Sequence, residues 1–572
     1  MRSQLSGTTA SRGLALGRAR IRTSRVIEVE ERHLAPEAVE QEVVRLVEAL
    51  QSTRAELAHL RDRIQGTLAQ EVGEFLDLHA MLLDDPELVS ALTALIRTGR
   101  HTASYALHLH HERLAAAFGA MEDPYLRSRR EDLDHVFGRV QAALRPAMDD
   151  GDIIGIAGDV LVTDTLSPTE LVPMVERGVL AVLVSRGSPM SHSAILARSL
   201  NLPMLIVPGD ALARIPEGTA VMVDAARGEI IVDPGPQDLA DLREREAAEA
   251  REQRSLIRLR SAATRTRDGI DIALMANAES RDEVARARQL GAFGVGLMRT
   301  EFLYLQRTDP PEEDEQYAAY RDAVLAMEGH PVTLRTLDLG ADKADASGIT
   351  LPREPNPALG LRGVRLALAR PALLRTQLRA MLRASAHGPV RILVPLVSQR
   401  AELRAVRHQL RECERELRRE GHAVARGIPL GAMIEVPAAA FALPTMLDAM
   451  DFASIGTNDL IQYLLAADRA NDAVGALFSP LHPAVIRALH EIVVACRAAR
   501  KPLSICGEMA GDPGCTPLLL ALGLTELSMH PSTLLEVRAA VRQCELRALR
   551  LRTGALLRAR DRDALERTLA RL

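Results

Sequence analysis

Arg299, Arg335, Glu435, Asn458, Asp459 and Cys506 each close a short apolar run in the second half of the chain. Planar guanidinium groups match the oxygens of phosphate and carboxylate, and carboxylates beside them suggest that the bound anion also carries a metal. A small phosphorylated acid meets both demands. Glu435 and Asp459 could hold Mg²⁺, which takes one or two carboxylates together with substrate oxygens rather than a full protein cage. Asn458 could orient the same ligand. The plainer alternative is that Arg–Glu pairs only staple a rim. Cys506 lies in SICGEMAGD, an apolar run entering a Gly turn, so its thiol is expected at an open strand end. A lone cysteine is usually a small core hydrophobe. Facing a bound enolate it can instead give a proton to carbon, and both readings stay open. Cys413, Cys496, Cys515 and Cys544 are assigned to structure.

A second candidate lies in SRGSPMSHSAILARSLNLP, where a loop of Gly, Ser and Pro precedes an apolar helix starting near Ser191. His192 then falls in its first turn. Free backbone N–H groups and the positive end of the helix dipole stabilise an anion there, and the same field disfavours imidazolium and keeps the ring a neutral nucleophile. The alternative is a structural or merely exposed histidine.

These residues need elements to hold them. After residue 261 short apolar strands alternate with helix-length segments, the rhythm of parallel βα units. Eight such runs occur: IDIALMAN, GVGLMRT, VTLRTLD, RILVPLV, LGAMIEVP, FASIGTND, PLSICGE and ELSMH. That is the number a (β/α)8 barrel requires, and barrel enzymes place their chemistry at the C-terminal ends of the strands. Asn277, Arg299, Arg335 with Asp338, Glu435, Asn458 with Asp459, and Cys506 with Glu508 all stand there. Nearer the N-terminus, GTTASRGLALGRARI reads as a strand and turn whose partner comes late in the chain. Residues from about 36 to 145 repeat apolar positions at helical spacing, as in Val39, Val43, Leu46, Val47 and Leu50. From Asp152 the runs DIIGIAGDVLVTD, GVLAVLVS, LPMLIVPG and TAVMVDAARGEIIVD predict strands of a compact α/β unit. A charged, Ala-rich helix over about 237–260 connects that unit to the barrel.

Composition excludes several classes. With 572 residues the chain needs two or three cores. Charged residues make up 26%, and a net charge of -5 leaves no basic footprint for nucleic acid. No apolar run of membrane-spanning length and no signal-peptide core are present, so no membrane insertion and a cytoplasmic location are expected. Five cysteines with no CxxC pair suggest neither a zinc site nor a disulfide framework.

Together these segments resemble enzyme I of the bacterial phosphoenolpyruvate-dependent sugar phosphotransferase system along essentially the whole chain. TASRGLALGRA, HAMLLDDPEL, DPYLRSRREDLDHV, TLSPTEL and SHSAILARSLNLP are similar to family segments of the N-terminal half. GVGLMRTEFLY, LRTLDLGADK, NPALGLRGVRL, GAMIEVPAAA, SIGTNDLIQYLLAADRAN and SICGEMAGD are similar to those of the C-terminal half.

The resemblance implies that His192 is the phosphorylated histidine and that Arg299, Arg335 and Arg469 bind the phosphate and carboxylate of phosphoenolpyruvate, with Asn458 beside them. It implies Mg²⁺ on Glu435 and Asp459, proton donation by Cys506, and Lys343 and Arg362 lining the same pocket. The implied fold is a multidomain α/β chain: a phosphohistidine domain (1–20 and 146–235), an inserted helical subdomain (21–145), a linker helix (236–261) and a (β/α)8 TIM-type barrel (262–572). The implied partners are the histidine phosphocarrier protein HPr, docking on the helical insert, and a second copy through the barrel; around Glu74 to Leu95 the insert offers apolar and acidic groups that could meet a basic patch on a carrier or could equally be an ordinary solvated helical face. The histidine domain would swing between barrel and carrier. One segment departs from the family, which usually shows Gly-Gly-x-Thr-Ser-His where this chain has GSPMSH; Ser188 and Met190 replace the second Gly and the Thr.

Among the alternatives, a dikinase would need a nucleotide-binding domain, and no Gly-rich nucleotide loop precedes the histidine. A phosphorylated regulatory protein of the nitrogen branch typically adds an N-terminal sensory domain, which is not expected here. A scaffold without catalysis conflicts with the complete set from Arg299 to Cys506.

Overall fold

Contacts divide the chain into two compact units, Met1–Glu249 and Ala250–Leu572. The computed structural model describes residues 2–22, 33–63, 79–119, 133, 136–144, 157–166, 168–187, 191–305, 307, 309–340, 347–352, 354–468 and 474–569.

In the first unit the strands are β1 (Ser3–Ser6), β2 (Thr8–Ser11), β3 (Leu14–Arg22), β4 (Asp159–Thr163), β5 (Ala181–Val184), β6 (Met204–Ile206), β7 (Ala220–Asp224) and β8 (Glu229–Val232). They form one sheet in the order β1-β8-β7-β3-β4-β5-β6-β2. The N-terminal segment does find its partners late: Ser3 opposes Val232, Leu14 opposes Asp224, and Arg18 opposes Asp159. β4 and β5 are buried at every position, as strands covered on both faces must be. Between β3 and β4 the chain runs through the helices Val39–Arg63, Pro86–Gly99 and Ala103–Gly119. Leu46, Leu50 and Leu57 form the buried stripe of the first of these, and Leu92 and Ile96 that of the second. The spacing of four and seven residues is what one helical face provides.

The boundary between the units falls within the helix Pro236–Arg258. Beyond it, all eight expected strands are present: β9 (Ala273–Ala278), β10 (Gly294–Met298), β11 (Val332–Arg335), β12 (Val390–Val394), β13 (Leu430–Ile434), β14 (Phe452–Gly456), β15 (Leu503–Cys506) and β16 (Glu526–Met529). Every neighbouring pair is parallel, and β16 pairs with β9 to close the barrel. β10, β13 and β14 are buried from end to end because side chains fill the interior while helices cover the outside. Closure removes sheet edges and brings all eight C-terminal strand ends around one mouth. Among the described residues no helix is long and apolar enough to cross a membrane.

Candidate active site

The barrel mouth gathers charge from strands far apart in sequence. Arg335 is the last residue of β11, and its guanidinium reaches Glu301 at 3.1 Å and Asp338 at 3.2 Å. Arg362 grips Asp338 with two prongs, Nε to Oδ1 at 3.1 Å and Nη2 to Oδ2 at 2.9 Å. The same Nη2 reaches Asp459 Oδ2 at 3.2 Å, and Nη1 donates to the Tyr463 hydroxyl at 3.2 Å. Burial opposes the charge on both guanidiniums, yet their carboxylate neighbours outweigh it and raise both pKa values. Both therefore stay cationic.

Glu435 directly follows β13 and is 2% exposed; its Oε1 accepts the backbone N–H of Leu396 at 2.6 Å. Burial, then the charges of Asp338 and Asp459, push its pKa well above the carboxylate range. Asp459 sits in the first turn of the helix Thr457–Leu465, where the backbone dipole favours a carboxylate. That helix follows β14 directly, and the glycine at 456 makes room for Glu435: a Cβ there would lie 2.6 Å from Glu435 Oε2.

One oxygen from each of Asp338, Glu435 and Asp459 lies within 4.8 Å of the others. The distance across the first shell of a divalent ion is about 4–5 Å, from metal–oxygen lengths of about 2.0–2.6 Å. All three donors are hard oxygens. With Glu301, the cluster gathers four carboxyl groups and two guanidiniums among the described residues, and a divalent cation would favour the ionised form of Glu435. The residues present fit Mg²⁺. Asp338 was legible as a polar strand-end residue, but its place as third carboxylate was not.

Asn458 pairs with the residue beyond the β15 turn: Glu508 N donates to Asn458 Oδ1 at 3.1 Å, and Asn458 Nδ2 donates to Glu508 Oε1 at 3.4 Å. The turn between them needs glycine, since Gly507 has φ +104° and a Cβ would approach Thr457 Oγ1 to 2.2 Å. Cys506 ends β15 but is not open at the mouth. It is 2% exposed and packs with Leu297, Leu393, Met433 and Phe452. Its thiol donates to Ile455 O at 3.4 Å and lies 3.6 Å from the Ser454 hydroxyl. Burial pushes the thiol pKa up to about 11. Arg299 follows β10, is half exposed, and holds Glu279 at 2.7 Å rather than joining the Arg335–Arg362 cluster.

In the first unit His192 opens the helix His192–Ser199, with Ser191 as its cap accepting Ala194 N at 3.3 Å. Two bonds fasten this helix: Ser193 Oγ to Leu166 O at 2.7 Å and Arg198 Nη1 to Ala10 O at 2.8 Å. The His192 side chain, Ser188, Met190, Lys343 and Arg469 lie outside the described residues.

Three family models match the chain: the N-terminal domain of PEP-utilising enzymes over residues 6–129, their mobile domain over 155–228, and their PEP-binding domain over 253–546. With a charged anion-and-cation cluster at the mouth of a parallel barrel, fold and site define a PEP-utilising enzyme. A phosphoenolpyruvate-protein phosphotransferase of Cupriavidus necator is 41% identical over 579 residues, covering 99% of both chains. Another, from Bacillus sp. (strain S), is 38% identical over 539 residues, covering 94% of this chain and 93% of the relative. A solution structure of the Enzyme I protein nEIt is 27% identical, covers 43% of this chain and 99% of its own, and superimposes with a TM-score of 0.37. The chain belongs to the phosphoenolpyruvate-protein phosphotransferases, the enzymes I, and is a phosphotransferase that uses phosphoenolpyruvate.

Proposed function

We propose that the chain phosphorylates itself on His192 from phosphoenolpyruvate and passes the phosphoryl group to a histidine of the carrier protein HPr in sugar uptake. The observation that carries this reading is the cluster of Arg335, Arg362, Asp338, Glu435 and Asp459 at the barrel mouth, which pairs cations for an anion with carboxylates for a metal. Arg299, Arg335 and Arg469 hold the phosphate and carboxylate oxygens with Asn458 beside them, and Lys343 and Arg362 line the same pocket. Asp338, Glu435 and Asp459 would hold Mg²⁺, which when bound would supply positive charge to offset that of the phosphoryl group.

The enol oxygen–phosphorus bond breaks as a bond from phosphorus to an imidazole nitrogen of His192 forms. The guanidiniums offset the charge that collects on the departing enolate. Cys506, kept protonated by burial, gives its proton to the methylene carbon, and pyruvate leaves. His192 then takes the phosphoryl group to the carrier, so the histidine unit visits both the barrel and HPr. Met81, 70% exposed beside the helix Pro86–Gly99, supports carrier docking on the helical insert. Phe441 and Leu477, exposed on the barrel unit, are apolar surface that pairing of two barrels would cover. The domain divisions at residues 20, 145, 235 and 261 belong to the same reading.

The test is incubation of the protein with phosphoenolpyruvate and Mg²⁺, following pyruvate release and acid-labile phosphate on wild type and His192→Ala. Stoichiometric label that the substitution abolishes is the expected result. Label that persists in His192→Ala overturns the assignment.

A further inference from the structure

Behind the barrel mouth lies a buried polar network that the chemistry above does not use. Gln377 sits in the helix Pro371–Ala384, on the same apolar face as Leu374, Leu378 and Met381, and is 1% exposed. A glutamine in such a stripe needs partners for its carbonyl and both amide hydrogens. Its Oε1 accepts the backbone N–H of Leu337 at 2.8 Å, and its Nε2 donates to Thr300 Oγ1 and to the Tyr320 hydroxyl, each at 3.1 Å. Thr300 Oγ1 passes its own proton to the carbonyl of Arg335 at 2.9 Å. The Tyr320 and Tyr304 hydroxyls both donate to Gln316 Oε1, at 3.1 and 3.2 Å, and Gln316 Nε2 donates to Pro311 O at 2.9 Å.

Every side chain of the network is buried, and the bonds end on three backbone groups: Pro311 C=O on one side, and on the other Arg335 C=O and Leu337 N–H, which enclose Thr336. Thr300 is also the neighbour of Arg299. One side chain from outside the barrel therefore fixes the strand ends that carry Arg299, Arg335 and Asp338. Among the described residues the segment after β11 is tied further by Thr336 N to Leu393 O at 2.9 Å and by Asp338 N to Glu301 Oε1 at 2.8 Å.

We infer that Gln377 is a positioning residue for phosphoenolpyruvate binding, holding the Arg335 and Asp338 backbone in register through Leu337 and Thr300. This rests on the reading of the mouth as the phosphoenolpyruvate site. A displacement of about 1 Å at such a site can cost a hundredfold in rate.

The experiment compares the KM for phosphoenolpyruvate, kcat and the thermal midpoint in the full chain for Gln377→Leu, Thr300→Val, Thr300→Ser and Arg335→Met. Gln377→Leu is expected to raise KM at least tenfold. Thr300→Val, which keeps the shape and loses the hydroxyl, raises it several-fold, and Thr300→Ser restores it. Should Gln377→Leu not fold, the Thr300 pair decides. Wild-type KM in both Gln377→Leu and Thr300→Val, with Arg335→Met impaired, overturns the positioning role while leaving the site intact. Wild-type KM in Arg335→Met overturns the reading of the mouth and the inference with it.

Discussion

Arg362 and Asp338 share two hydrogen bonds, of 3.1 and 2.9 Å, and the same guanidinium touches Asp459 at 3.2 Å. The planar fork grips Asp338 through two nitrogens while still reaching Asp459, a bidentate geometry that the single nitrogen of an ammonium group does not offer. Arg362→Lys is therefore expected to lower kcat/KM for phosphoenolpyruvate at least tenfold, since a hydrogen bond to a charged group is worth about 1.5–3 kcal/mol. Steady-state pyruvate release measures it, and an unchanged value would mean that the arginine only braces the rim.

The three carboxylates Asp338, Glu435 and Asp459 make a further prediction. Asp459→Asn removes one charged donor without changing shape. The Mg²⁺ concentration for half-maximal pyruvate release should rise at least tenfold, given that loss of even an outer-shell partner costs roughly 10–100-fold. Chelation of divalent ions should stop wild-type turnover and added Mg²⁺ restore it. Activity that survives exhaustive chelation would leave the cluster without its ion.

Cys506 is distinguished by its burial, which pushes the thiol pKa up to about 11. The folded value lies above the ordinary one of about 8.5. Its contribution to stability is thus complete below about pH 8.5 and lost as pH rises through about 11. Alkylation of the Cys506 peptide, followed by mass spectrometry, should keep accelerating up to about pH 11 instead of levelling near pH 9. Cys506→Ala should slow pyruvate release while the phosphohistidine still forms; equal rates for the two products in wild type and variant would remove the proton-donor role.

At Gly507, φ is +104° and an added Cβ would meet Thr457 Oγ1 at 2.2 Å and Asn458 Oδ1 at 2.9 Å. This backbone region is open essentially to glycine alone, and strain there costs about 1–3 kcal/mol. Gly507→Ala should destabilise the barrel unit by at least that much in denaturant titration. It should also weaken phosphoenolpyruvate binding, because Asn458 and Glu508 meet across this turn. A variant with wild-type stability would show that the loop shifts without loss.

Much of this was legible in residue order. The eight barrel strands stand out because a strand buried on both faces must be apolar throughout, and the helices between them set a regular spacing. The candidates at their ends follow from the same logic, since polarity resumes where a strand leaves the core. Helix His192–Ser199 was legible too, from a loop of small residues before an apolar stripe. Other features were not. Gln377 looks like one polar residue in an ordinary amphipathic helix until its three partners are seen. Tyr463 gains its place only through Arg362 and the Ala358 carbonyl, 2.6 Å from its hydroxyl. Cys506 shows the same divide, for its position at a strand end was evident but its inward packing was not.

Residue order alone marks Arg299, Arg335, Glu435 and Cys506 at the ends of apolar barrel runs and His192 at the start of a helix, because hydrophobic runs and their limits are local properties of the chain. Which of them meet is set by the closed barrel. Asp338, Glu435 and Asp459 follow three different strands, and closure of β16 onto β9 sets the angular place of every strand around the mouth. Partner choice among charges is a matter of distance and burial, and both arise only when the barrel closes and water is excluded from its rim.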